Sequence, residues 1–151
     1  MKRILADEAA TEALGRALQE ALEPGGAVIF LDGPLGAGKT SLARAILRAM
    51  GEAGPVRSPT YTLMEPYEVN GRRVYHMDLY RLGDPEELAY LGVRDLDEPG
   101  LLLLVEWPER GAGMLPAADL CIRLAHAGSG REAELEGLSE RGQAMLARLA
   151  A

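Results

Sequence analysis

Ala27-Val28-Ile29-Phe30-Leu31-Asp32-Gly33-Pro34-Leu35-Gly36-Ala37-Gly38-Lys39-Thr40-Ser41 is the stretch from which the fold of this 151-residue chain is read. Ala27 to Leu31 is an unbroken apolar run without alternation, which predicts a short strand buried on both faces. Gly33 to Thr40 then matches G-x-x-x-x-G-K-[ST] at every fixed position. Lys39 to Met50 continues at helical spacing with Leu42, Ile46 and Leu47 on one side, and Gly51 closes the helix. Strand, glycine-rich loop and helix in that order are the context in which this pattern carries chemistry. Glycines let the backbone turn its N–H groups inward around an anion. The helix that opens near Lys39 points its positive end at the same place. The Lys39 ammonium is a compact charge suited to β- and γ-phosphates, and the Thr40 hydroxyl is an oxygen ligand for Mg²⁺, which binds at about 2.1 Å. The segment from Gly33 through Leu35, Gly36, Ala37, Gly38, Lys39 and Thr40 to Ser41 is therefore expected to hold the phosphates of ATP or GTP with Mg²⁺.

Outward from this core, Asp7 to Leu22 has helical spacing with Leu14 and Leu18 on one face, and Pro24-Gly25-Gly26 ends it. Gly54 to Thr60 reads as a loop. Thr62 to Val69 and Arg72 to Asp78 read as strands joined by Asn70-Gly71, a strong hairpin signal. Asp84-Pro85-Glu86-Glu87 starts a short helix that stops near Gly92: a capping Asp, Pro at the first helical position, then acids on the positive end. Leu101 to Val105 and Leu120 to Leu124 are further buried strands, Arg131 to Glu136 alternates like an edge strand, and Ser139 caps a helix reaching Leu149. No repeat, low-complexity tract or linker interrupts the pattern. The expected fold is α/β, a three-layer sandwich of the P-loop NTPase type with a mostly parallel mixed sheet and one β-hairpin, residues 1–151 forming a single domain.

The chain is 48% hydrophobic and 26% charged, ordinary for a globular protein. Its formal net charge of -7, from 23 acidic and 16 basic residues, argues against gripping nucleic acid through a broad basic face. The longest apolar runs are too short to span a membrane. The lone Cys121 cannot form an internal disulfide and lies in apolar sequence as a core residue. With no signal-peptide h-region near the N-terminus, the cytoplasm is the expected compartment. Only Lys2 and Lys39 are lysine. No Asn-Lys-x-Asp element of guanine-specific P-loop proteins can therefore be present, which tilts base preference toward adenine.

Hydrolysis needs more than a phosphate loop. Glu106 follows four leucines and a valine, and Asp78 ends the second hairpin strand. A carboxylate in either place can hold the metal through water or polarise an attacking water. Thr60, after Ser58-Pro59, can reach the metal or γ-phosphate from a switch-like loop. Trp107 adjoins Glu106 and suits a place beside the nucleotide, in the core or at an interface. His76 reads as a packed or solvated strand residue. Three function classes fit these residues: a partner-activated ATPase, a small-molecule kinase, and a nucleotide-binding structural subunit.

The motifs together resemble the TsaE (YjeE) family, the ATPases of bacterial tRNA threonylcarbamoyladenosine biosynthesis. The matching stretches are Leu35 to Thr40, Ser58-Pro59-Thr60-Tyr61-Thr62-Leu63, Tyr75-His76-Met77-Asp78-Leu79-Tyr80-Arg81-Leu82, Asp84 to Leu88, Glu106-Trp107-Pro108-Glu109 and Leu115 to Leu120. Met77 and Pro34 depart from the commoner residues at their positions, but neither supplies a needed side chain. The resemblance implies an ATPase that is weak alone and works with TsaD and TsaB, meeting tRNA through that complex. It also implies phosphate binding by Lys39, Mg²⁺ held by Thr40 and Glu106, and assistance to hydrolysis from Asp78. Thr60 falls in its switch-like loop, and Glu8 and Arg131 fall beside the base and ribose.

Overall fold

The computed structural model describes residues 1–96 and 98–151, with Asp95 described by its backbone alone. The apolar run at 27–31 becomes the middle of the molecule because both of its faces are covered. Strand β2 (Ala27–Asp32) lies between β5 (Leu102–Glu106) and β6 (Leu120–Ala127) and is parallel to both. Ile29 and Leu31 of β2, with Leu102 and Leu104 of β5, turn to one face of the sheet. Val28 and Phe30, with Leu103 and Val105, turn to the other. A strand buried on both faces leaves no position for a polar residue, which is why neither sequence alternates.

Six further strands, counting β5 and β6 as the neighbours of β2, complete a seven-stranded sheet. They are β1 (Lys2–Leu5), β3 (Met64–Val69), β4 (Arg72–Asp78) and β7 (Gly130–Gly137) beside those two, in the order β1-β7-β6-β2-β5-β4-β3. The four central strands are mutually parallel, and the β1–β7, β7–β6 and β4–β3 ladders are antiparallel. Asn70 and Gly71 both have positive φ, 51° and 81°, so the β3–β4 turn has the handedness that matches strand twist. Pro66, which has no N–H to give, sits on β3 at the open edge of the sheet.

Three differences from the sequence reading have local causes. Residues 131–136 do not form an edge: β7 is an inner strand, because Lys2–Leu5 pairs along it and takes the edge itself. Four residues of mixed polarity are too few to show a period, so β1 gave no signal; it is held by pairing, with Met1 and Arg3 also bonded to the carbonyls of Leu135 and Leu149. The strand expected from Thr62 starts at Met64, since Leu63 has φ 66° and its N–H is bonded to Pro59 O. The helix after Asp84 is present and capped by the Asp84 side chain, but it is a 3₁₀ segment, Pro85–Leu91, that Gly92 stops in the left-handed region. So short a segment gains little from α-type propagation.

Helices α1 (Glu8–Ala21), α2 (Lys39–Met50) and α3 (Glu140–Ala150) all cover the Ile29/Leu31 face. The opposite face is covered by 3₁₀ segments and loops bearing Leu79, Leu82, Leu88 and Val93, so the third layer is thin. Gly15 sets the distance between α1 and α2: a Cβ there would lie 2.6 Å from Ala45 Cβ. Gly15→Leu is expected to force these helices apart and destabilise the protein by about 1–3 kcal/mol, read as a lower urea midpoint.

Candidate functional site

Most of the candidate site residues gather where the parallel strands end. β2 runs directly into the glycine-rich loop, and in the β4–β5 ladder Asp78 stands beside Glu106, with Leu31 of β2 beside Glu106 on its other side. The carboxyl ends of parallel strands are where open α/β sheets form their crevices. Gly38, at φ 104°, is the left-handed N-cap of α2, and an added Cβ there would meet nothing within 4 Å. No side chain caps α2, so its first N–H groups remain turned toward the loop.

Lys39 is buried although charged. Its Nζ donates to the carbonyls of Gly33 (2.5 Å) and Pro34 (2.9 Å) and lies 4.1 Å from the Trp107 ring centroid. Burial pulls its pKa below the usual lysine value, against the opposing pull of Glu106, Asp78, Asp32 and Glu109. Thr40 Oγ1 donates to the Glu106 carboxylate, 2.8 Å from Oε1 and 3.0 Å from Oε2. His76 Nε2 is 2.6 Å from the same Oε2. Asp78 accepts from Tyr80 N at 3.0 Å and from Thr60 Oγ1 at 3.4 Å, and Thr60 is 2.7 Å from Ser58 Oγ. A loop residue, a strand-end acid, a strand-end glutamate and the phosphate-loop pair thus stand side by side, in the separate pairs Thr60–Asp78 and Thr40–Glu106 with Lys39 on the loop carbonyls.

These groups line one cavity of about 440 Å³. Leu35, Gly36, Gly38, Lys39, Thr40 and Ser41 come from the loop and α2, with Thr60, Asp78, Glu106 and Arg131 around them. Gly33 and Ala37 of the expected segment, and Glu8, do not reach this wall; Ala37 is fully buried and its N–H is bonded to Pro34 O at 3.2 Å. A second cavity of about 340 Å³ adjoins the first through Gly38, Ser41 and Arg131, and Glu8 and Thr11 line it. Arg131 is fixed there by donating to Gly36 O at 3.0 Å.

Tyr80, Arg81 and Trp107 also line the first cavity. Tyr80 and Trp107 pack with ring centroids 5.0 Å apart, and Arg81 lies over the Tyr61 ring at 4.6 Å. Tyr80 and Arg81 were not among the expected site residues, although both fall in the family-like stretch from Tyr75 to Leu82.

The donor set is a test of whether Mg²⁺ fits. Among the described residues no group of three or more His, Cys, Asp or Glu can hold a metal ion. A hydroxyl and a carboxylate side by side do not make a full protein cage. They do match Mg²⁺, which takes one or two protein oxygens and completes its shell with phosphate and water.

A parallel-centred sheet whose inner strand feeds G-x-x-x-x-G-K-T and a helix defines an α/β fold of the P-loop NTPase type. Residues 5–133 match the family model described as threonylcarbamoyl adenosine biosynthesis protein TsaE. The chain belongs to the TsaE family, a family of threonylcarbamoyl adenosine biosynthesis, as its motifs implied. A Haemophilus influenzae protein, named tRNA threonylcarbamoyladenosine biosynthesis protein TsaE, is 47% identical over 108 residues, covering 72% of this chain and 68% of its own length. A Rickettsia felis protein of the same name is 40% identical over 107 residues, 70% of this chain and 61% of its own length. The crystal structure of Bacillus subtilis YdiB matches with a TM-score of 0.80 at 27% identity, over 99% of this chain and 93% of that one.

Proposed function

We propose that the protein binds ATP with Mg²⁺ and hydrolyses it slowly, in support of threonylcarbamoyl modification of tRNA adenosine (t6A37) with TsaD- and TsaB-like partners in the cytoplasm. The observation that carries this reading is the convergence of Lys39, Thr40, Asp78 and Glu106 on one cavity at the end of the phosphate loop. The amides of Gly36 and of Gly38 to Ser41 cradle phosphate oxygens, and Lys39 exchanges its loop carbonyls for the β- and γ-phosphates. Thr40 and Glu106 hold the metal, which when bound neutralises charge building on the phosphates. Asp78 orients the attacking water, and Thr60, bonded to it, brings the 58–60 loop to the reacting end. Glu8 and Arg131 face the base and ribose from the adjoining cavity. Such a site spends binding energy on position and charge, which is most of what phosphoryl transfer asks of a protein. The acidic chain meets tRNA through its partners, and among the described residues no helix is long and apolar enough to cross a membrane.

Phosphate release from ATP and GTP, with and without TsaB and TsaD, tests the reading. Slow release from ATP that the partners accelerate is expected; no release even with them would overturn hydrolysis. Calorimetry is expected to show ATP binding at least several-fold tighter than GTP. Equal affinities would contradict the adenine preference.

A further inference from the structure

Building on that reading of the site, we propose that His76 is a positioning residue that sets the orientation of the Glu106 carboxylate. His76 is 0% exposed, on β4, two residues before the Asp78–Glu106 pair and level with Leu104 of β5. Its neighbours along the strand, Tyr75 and Met77, pack into the apolar cluster of the thin layer. An imidazole in such a place costs free energy that an aliphatic residue would not. It makes one polar contact among the described residues, Nε2 to Glu106 Oε2 at 2.6 Å, and its buried Nδ1 has no partner.

The chemistry fixes the direction of that bond. An ionised carboxylate only accepts, so Nε2 carries the proton and donates to Glu106 Oε2. His76 thus holds Oε2, while the Thr40 hydroxyl lies across both oxygens, 2.8 Å from Oε1 and 3.0 Å from Oε2, so the two residues together fix the plane of the carboxylate. The terminal torsion of a glutamate is soft and roughly two-fold. Without the imidazole, the Thr40 hydroxyl alone holds the carboxylate, which can then turn about that torsion. His76 touches neither nucleotide nor metal; it acts through Glu106 alone. Partners that orient a ligating group in this way typically change metal affinity by 10–100-fold.

Three variants of the full chain separate positioning from packing: His76→Gln, His76→Asn and His76→Leu. The Gln amide nitrogen reaches the place of Nε2, whereas the Asn amide reaches only that of Nδ1. Calorimetry follows binding of a non-hydrolysable ATP analogue across a Mg²⁺ series, with metal-free ADP binding as the control. His76→Asn and His76→Leu are expected to raise the Mg²⁺ needed for half-effect by about tenfold or more. His76→Gln should stay within about threefold of wild type, and metal-free ADP affinity should be equal in all four. Nitrogen-resolved NMR of the metal-free wild type is expected to show the proton on Nε2, a readout independent of any variant's folding. Wild-type Mg²⁺ dependence in the Asn or Leu variant, equal losses in Gln and Asn, or an unprotonated Nε2 would each overturn the role of His76 alone. A wild type whose nucleotide binding ignores Mg²⁺ would instead overturn the phosphate-site reading on which the proposal rests.

Discussion

Lys39→Met is expected to lower nucleotide affinity and hydrolysis by about 10²–10³-fold while leaving the nucleotide-free protein at least as stable as wild type. The loss follows from removing the one ammonium in the phosphate loop, where preorganised charge in a partly dry site is worth far more than in water. The retained stability follows from burial. Desolvation lowers the Lys39 pKa below its ordinary value of 10.5, so the charged form is disfavoured in the folded state. The sign is that of a depressed base: the folded chain binds fewer protons than the unfolded one between the lowered value and 10.5, and stability contributed by Lys39 rises with pH across that window. Methionine keeps the stem and removes the penalty. Denaturant melts of the two proteins should therefore differ most near neutral pH and converge as the pH approaches 10.5. A variant that melts well below wild type at neutral pH, or that binds ATP as wild type does, would contradict this account of a cation held ready for phosphate.

Glu106→Gln carries the second large effect, a fall in hydrolysis of about 10²–10³-fold with the fold preserved. The amide has the volume and the two polar ends of the acid, so it still meets Thr40 on one side and His76 on the other. What it lacks is the negative charge that holds a hard divalent ion. The nucleotide-free protein should melt within a few degrees of wild type, and ATP binding should lose most of its Mg²⁺ dependence. Hydrolysis within about threefold of wild type would remove Glu106 from the metal and leave Asp78 as the acid that matters.

The strand, loop and helix at 27–50 were legible because each requirement there is local: an apolar run, glycines at fixed offsets, and a helix of helical period. Asp78 and Glu106 were legible for a similar reason, since each ends a strand and parallel pairing brings strand ends together. What depends on pairing was not. Four residues at the N-terminus became the edge strand only because β7 accepts them, and that displaced 130–137 to the inside. His76 looked like one strand residue among others, and its meaning comes from a carboxylate 30 positions away. Arg81 and Trp107 reach the cavity through the turns after β4 and β5, and Trp107 does so from a left-handed backbone, φ 56°, that no pattern announces. Glu8 and Arg131 were suggested by family resemblance alone; the structure puts them around one cavity although they are 123 positions apart in the chain.

The central claim is that backbone amides of the 36–41 turn grip a magnesium-bound triphosphate. Titrating the labelled protein with a non-hydrolysable ATP analogue and Mg²⁺, and following amide resonances by NMR, tests this most directly. The largest shifts are predicted at Gly36, Gly38, Lys39, Thr40 and Ser41, saturating at one nucleotide per chain, with the Trp107 indole moving alongside. Saturation with those five amides unmoved, or no saturation at millimolar nucleotide, would contradict it.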